Sequence, residues 1–191
     1  MKPPRLVAGR AILLVIDVQE KLVPTLWDGP RFLRRAGFAI RAATALEVPI
    51  LATEQNPAGL GKTVPEIARL LEGSEILPKT CFSLLRSRDV QARLQTRRRD
   101  QVVLVGIETH VCVLQTALDA LDTGLEAFVL MDAVTSAREE DRHWGQQRLV
   151  QAGVVPLTVQ SFAYELLGDS YDQRFRALLP LLKEIAAADP E

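Results

Sequence analysis

Three side chains able to do acyl chemistry each follow an apolar run in this chain: Asp17, Lys79 and Cys112. Cys112 closes the run Gly106-Ile107-Glu108-Thr109-His110-Val111-Cys112, which follows the apolar stretch 101–105 and opens what reads as a helix over 111–121. A cysteine at a strand-to-helix turn sits where backbone N–H groups converge, a setting that lowers a thiol's pKa and makes it a nucleophile. Asp17 follows Ala11–Ile16, and Lys79 follows Ile76-Leu77-Pro78. A carboxylate, an ammonium and a thiol at the C-terminal ends of predicted strands can meet in one crevice of a parallel sheet. A thiolate there can attack a carbonyl and form a thioester. The resulting oxyanion needs donors about 3 Å away, and the backbone N–H groups of residues 108–112 are the candidates. Asp17 could take the thiol proton and return it to a leaving amine. Lys79 could hold Asp17 ionised, lower the thiol pKa or steady developing negative charge. Each residue alone has an ordinary structural reading: a buried cysteine as a small hydrophobe, an aspartate as a helix cap, a lysine as a solvated charge. The joint pattern is the specific signal.

The elements that must position these groups alternate along the chain. Ala11–Ile16 is a continuous branched apolar run, the pattern of a strand buried on both faces. Further strands are predicted over 49–52, 75–77, 102–105, 127–131 and 154–158. Helical spacing falls at 31–46, at 64–71 with Pro65 in the first turn, and at 89–95, 111–121 and 139–151, the last ended by Gly153. The prediction is an α/β fold, a Rossmann-like three-layer sandwich around a six-stranded, mainly parallel sheet. Residues 1–191 read as one domain. A last helix over about 172–187 carries the stripe Leu178, Leu181, Leu182 and Ile185, either to cover a sheet edge or to meet another subunit.

Composition narrows the function. Hydrophobic residues make up 48% and charged residues 25%, an ordinary globular balance. A formal net charge of −1 gives no electrostatic reason to expect nucleic acid. Arg97-Arg98-Arg99 reads as the solvated end of a helix, with a phosphate or acidic-partner site as the alternative. No apolar stretch reaches the roughly 20 residues of a membrane span, so no membrane partner is expected. Pro3-Pro4-Arg5 interrupts any signal-peptide core, so the expected setting is cytoplasmic and Cys81 and Cys112 are expected to be free thiols.

Several stretches resemble the isochorismatase-like cysteine hydrolases. They are Leu14-Val15-Ile16-Asp17-Val18-Gln19, then Lys79 with Phe82-Ser83, then the Gly106–Cys112 run, in order from about residue 10 to about residue 160. Glu54-Gln55-Asn56-Pro57 with Gly59-Leu60-Gly61 is similar to the subgroup called isochorismatase domain-containing proteins. The resemblance implies a catalytic triad of Asp17, Lys79 and Cys112 and a cis, non-proline peptide between Ile107 and Glu108. It also implies an oxyanion hole from the Glu108 and Cys112 amides, six parallel strands, and a homo-oligomer, dimer or larger. Nicotinamidases of this family carry an Asp/His metal cluster after the second strand. Here that segment is Thr53-Glu54-Gln55-Asn56-Pro57, and the chain's histidines are His110 and His143. A zinc site needs about three or four protein ligands, so neither metal nor other cofactor is expected. True isochorismatases cleave a vinyl ether and generally lack the cysteine, so Cys112 favours acyl chemistry.

Other residues carry two readings each. Gln19 orients substrate or caps the following helix. Trp27 and Phe82 wall an apolar pocket or simply pack. Glu54 faces the pocket mouth or is a loop charge. Thr109 is expected to bond its own backbone rather than substrate, His110 to serve as a cap or surface residue rather than a second base, and Cys81 to sit in the core. The expected function is metal-independent hydrolysis of an amide-type C–N bond in a small molecule. The rivals are an ester, ring-imide or vinyl-ether hydrolase, a binding protein that keeps the triad as a relic, and a thiol redox protein.

Overall fold

The computed structural model describes residues 4–188; residues 1–3 and 189–191, the ends of the predicted domain, lie outside the described residues. Six strands form one sheet: β1 Ala11–Ile16, β2 Ile50–Gln55, β3 Glu75–Lys79, β4 Gln101–Ile107, β5 Glu126–Thr135 and β6 Val155–Leu157. Their order is β3-β2-β1-β4-β5-β6, and every neighbouring pair is parallel. The two edge strands are the ones with an internal proline, Pro78 in β3 and Pro156 in β6. A proline has no N–H for the ladder, so such strands belong at an edge.

The central strands are apolar along their whole length because helices cover both faces. Side chains of β1 alternate between two cores. Leu13 and Val15 join Phe32, Phe38 and Ile40 of α1 (Gly29–Ala45), Phe162 of α7 (Val159–Leu167) and Leu178 of α8 (Phe175–Ala188). Ile12, Leu14 and Ile16 join Val90 of α4 (Arg88–Arg97), Ala117 of α5 (Leu114–Asp122) and Leu149 of α6 (Glu139–Gln151). Two short helices, α2 (Pro57–Leu60) and α3 (Pro65–Leu70), complete the chain between β2 and β3. The layers are helix, sheet and helix. The topology departs in opposite directions from β1 and β4, which opens a crevice at their C-terminal ends.

Several details differ from the sequence expectation; β2 runs on to Gln55, β5 to Thr135, and the short α2 is additional. β3 runs on to Lys79, so this lysine is the strand's last residue rather than its successor. The predicted helix 111–121 is a π-turn, Thr109–Val113, followed by α5. Helix α7 was absent from the prediction; Thr158, read there as strand, caps it by accepting from Ser161 N–H at 3.1 Å. The stripe of α8 packs on α1 and α7, so this helix adds to one outer layer instead of covering a sheet edge. Among the described residues no helix is long and apolar enough to cross a membrane.

Candidate active site

The crevice is narrow because β1 and β4 touch there. Gly106 has φ 127° and is the register partner of Ile16. A Cβ at residue 106 would overlap the Ile16 carbonyl oxygen, so glycine is required for this approach. The next residue on β1, Asp17, leaves the strand at φ 55°, a left-handed conformation that aspartate tolerates better than most residues. Its carboxyl is 1% exposed and has both oxygens engaged. Oδ1 accepts from Thr53 Oγ1 at 2.7 Å, and Oδ2 accepts from Lys79 Nζ at 2.6 Å.

Lys79 reaches the crevice from the end of β3, with none of its side chain exposed to solvent. Its ammonium also donates to Gln55 Oε1 at 2.7 Å and to the Cys81 and Phe82 carbonyls at 3.2 Å each. Cys112 Sγ lies 3.6 Å from the same nitrogen. The three predicted catalytic side chains, from three separate strand ends, therefore meet around one ammonium.

Cys112 is held by the π-turn. Val113 N–H donates to Glu108 O at 3.2 Å, one residue further back than in an α-helix. Such turns are frequent at functional sites. The Ile107–Glu108 peptide is cis. Glu108 Oε2 accepts from Ala137 N–H at 2.9 Å, and His110 Nδ1 lies 3.0 Å from Ser136 Oγ. Both contacts tie the turn to the segment after β5. From the other side, α6 lays Gly145 against the His110 backbone, where a Cβ would come within 3.0–3.1 Å.

The thiol does not behave as the turn alone suggested. Burial pushes the Cys112 pKa up from its ordinary value to about 12, and the Asp17 carboxylate pushes the same way; Lys79 opposes them. Cys112 is 6% exposed, so desolvation of the thiolate comes first among these causes and outweighs the nearby ammonium. The resting site is an Asp17–Lys79 ion pair facing a protonated thiol.

The pocket candidates divide. Gln19 is fully buried and spends its amide on backbone: it donates to Gln55 O at 3.0 Å and Gly61 O at 2.7 Å and accepts from Gln55 N–H at 2.8 Å. It is a clamp between β2 and the 61–63 loop, neither helix cap nor free substrate ligand. Glu54 also turns away, accepting from Thr63 N–H and Oγ1 at 2.7 and 3.0 Å and pairing with Lys62 at 3.2 Å. Thr109 is fully buried, and its hydroxyl has no partner among the described residues, in contrast to the expected bond with its own backbone. Phe82 is 52% exposed, while its carbonyl faces Lys79. Trp27 lies under the Arg142 guanidinium at 4.4 Å, with its carbonyl accepting from Thr135 Oγ1. Cys81 is half-buried in the wall of a cleft of about 540 Å³ beside Lys79, not in the core, and both cysteines are free thiols.

Thr53 and Gln55 touch the triad and were missed. They lie two apart on β2 and so share a face, opposite Glu54. The predicted strand stopped at residue 52, before this alternation became visible. Among the described residues no group of three or more His, Cys, Asp or Glu is placed to hold a metal ion.

Comparison with known proteins gives a consistent match. The isochorismatase domain model matches residues 11–161. Isochorismatase domain-containing protein 2 of Homo sapiens is 37% identical over 184 residues, covering 95% of this chain and 87% of that protein. The secreted isochorismatase effector Isc1 of Phytophthora sojae is 36% identical over 185 residues, covering 94% and 88%. Among solved structures, the MAR1 ribonuclease of Caenorhabditis elegans superposes with a TM-score of 0.89 at 35% identity, covering 98% of this chain and 95% of that one. The YcaC gene product of Escherichia coli, described as an octameric hydrolase of unknown specificity, shares the fold at a TM-score of 0.87 and 24% identity, covering 98% of each chain.

Proposed function

The chain belongs to the isochorismatase family, and on that premise we propose that it is a single-domain, metal-independent hydrolase that cleaves an amide-type C–N bond of a small molecule. The observation that carries this reading is the Lys79 ammonium, buried and held 2.6 Å from Asp17 and 3.6 Å from Cys112 Sγ. In the proposed reaction the Cys112 proton passes to Asp17 as sulfur attacks the substrate carbonyl. The Glu108 and Cys112 amides receive the oxyanion, and Lys79 steadies the negative charge. Collapse breaks the C–N bond, and Asp17 returns the proton to the departing nitrogen. Asp17 then takes a proton from water, whose oxygen attacks the thioester. The acid leaves and Cys112 recovers its proton. The donors at the C-terminal end of β2 are already spent, Thr53 on Asp17, Glu54 on Thr63 and Gln55 on Lys79.

The same machinery serves an ester or a ring imide; a vinyl ether offers Cys112 no carbonyl to attack and is the rival that needs a different route, and turnover distinguishes these bonds. A polyanionic substrate, suggested by the name of the C. elegans relative, finds no support in a net charge of −1. A thiol nucleophile must stay reduced, which favours a cytoplasmic setting. A homo-oligomer, dimer or larger, is part of the proposal: Trp144 is exposed on α6, next to the glycine that touches the nucleophile turn.

The test is a panel of small amides, ring imides, esters and a short RNA, with turnover and the mass of the Cys112 peptide followed together. Amide turnover with an acyl adduct on Cys112, both lost in Cys112→Ser, is the expected result. Turnover that survives Cys112→Ser overturns the mechanism. Absence of turnover and adducts across the panel favours the binding-protein alternative.

A further inference from the structure

We infer that Gln55 is a positioning residue of this site: its neutral carbonyl holds the Lys79 ammonium while leaving the charge to Asp17 and Cys112. The inference rests on the hydrolase reading above. A lysine ammonium has three N–H bonds to give. Two of its contacts are short, 2.6 Å to Asp17 Oδ2 and 2.7 Å to Gln55 Oε1. The remaining donor capacity is spread over two carbonyls at 3.2 Å and the Cys112 sulfur at 3.6 Å. Gln55 is thus held almost as tightly as the triad carboxylate.

Its orientation is determined from outside. Gln55 Nε2 donates to Thr80 O at 2.7 Å, so the amide oxygen must face the ammonium. The backbone is pinned as well: Gln55 is the register partner of Lys79 and donates its N–H to Gln19. The clamp made by Gln19 therefore acts on Lys79 through Gln55.

The charge around Nζ explains why an amide stands there. β1 contributes Asp17, β2 contributes Gln55, the loop after β3 contributes two carbonyls, and the π-turn contributes Cys112. Glu54, on the opposite face of β2, is committed to Thr63 and Lys62. Among the described contacts of Lys79, Asp17 is therefore the one carboxylate. When the thiol proton moves to Asp17, the cation is left facing the new thiolate alone. A carboxylate at residue 55 would grip the same ammonium but neutralise it, and the thiolate would form in a buried site carrying one extra negative charge.

Cys112 itself is the reporter. Its alkylation by iodoacetamide is followed from about pH 5 to 10 and resolved from Cys81 by peptide mass. Gln55→Glu is expected to slow Cys112 labelling about tenfold across this pH range, equivalent to displacing the rate–pH profile upward by about one unit, with Cys81 unchanged. Gln55→Met removes the acceptor without adding charge, and a slowing of about threefold with a smaller shift is expected. A folded Gln55→Glu protein with the wild-type rate across this pH range overturns the inference. If that variant does not unfold cooperatively, a folded Gln55→Met protein with wild-type behaviour overturns it instead. Asp17→Asn separates the two readings. If Cys112 labelling ignores Asp17→Asn, the triad falls and Gln55 falls with it; if Asp17→Asn alters the profile and Gln55→Glu does not, Gln55 alone is overturned.

Discussion

At the N-terminal edge of the sheet, Arg10 pairs with Asp100 at 2.7 Å and Glu126 at 3.0 Å; at the C-terminal edge, Lys79 pairs with Asp17 at 2.6 Å. Both clusters join neighbouring regions of the sheet through one cation, and their distances are nearly equal. They differ in solvent. The side chains of the first cluster are 37–57% exposed, so water and salt screen them. Those of the second are 0–1% exposed, and each charge there is felt by the next group. A third pair, Arg35–Asp132 at 3.2 Å, shows that burial alone is not sufficient. Asp132 gives its other oxygen to Val159 N–H, and its ion pair joins helix to strand. Lys79 differs from Arg35 in standing against a thiol.

This contrast can be broken at several points. The largest effect is expected for Cys112→Ala: loss of any Cys112-dependent turnover by at least about a thousandfold, with the fold intact by circular dichroism. Next comes Lys79→Met, which leaves Asp17 buried without its cation. Urea unfolding should show a loss of about 3–5 kcal/mol, most of it recovered in the Asp17→Asn, Lys79→Met double variant. Failure of the double variant to recover would mean that Lys79 stabilises through packing rather than charge.

The raised thiol pKa makes a smaller, pH-dependent prediction. Between the unfolded value near ~8.5 and the folded value of about 12, the native state keeps a proton that the unfolded chain has lost. Stability is therefore full below pH ~8.5 and falls as pH rises toward the folded pKa. Urea unfolding at pH 8 and pH 10.5 should differ by about 2–3 kcal/mol more in the wild type than in Cys112→Ser. Equal differences would show that Cys112 is not a buried neutral thiol. The smallest effect belongs to the other edge of the sheet. Asp100→Asn should leave both the melting temperature and Cys112 labelling at wild-type values in moderate salt.

The strand alternation and the full apolar run of β1 made the sheet readable, because a strand covered on both faces has no polar side to disguise it. Pro78 and Pro156 even mark the edges. The nucleophile turn was readable as a motif, but its electrostatics were not. A sequence displays the convergent amides around Cys112 and hides the desolvation that opposes them. Thr53 and Gln55 escaped for a different reason. Their roles come from register across β1, β2 and β3, a relation between residues far apart in the chain. Gln19, two residues past Asp17, and Glu54, a charge near the expected pocket mouth, read as site residues, yet each is absorbed by backbone or loop partners.

The glycine of α6 that rests on His110 extends the steric constraint on the Cys112 turn beyond the turn's own sequence. Residue 145 carries no chemistry and lies 33 positions from Cys112 in sequence. Even so, a single methyl group added there would press on the backbone of the nucleophile turn. A substitution at this position of α6 would thus displace the turn that carries Cys112 without touching the cysteine itself. An engineer wishing to retune that reactivity, with every reacting group left in place, would begin with Gly145.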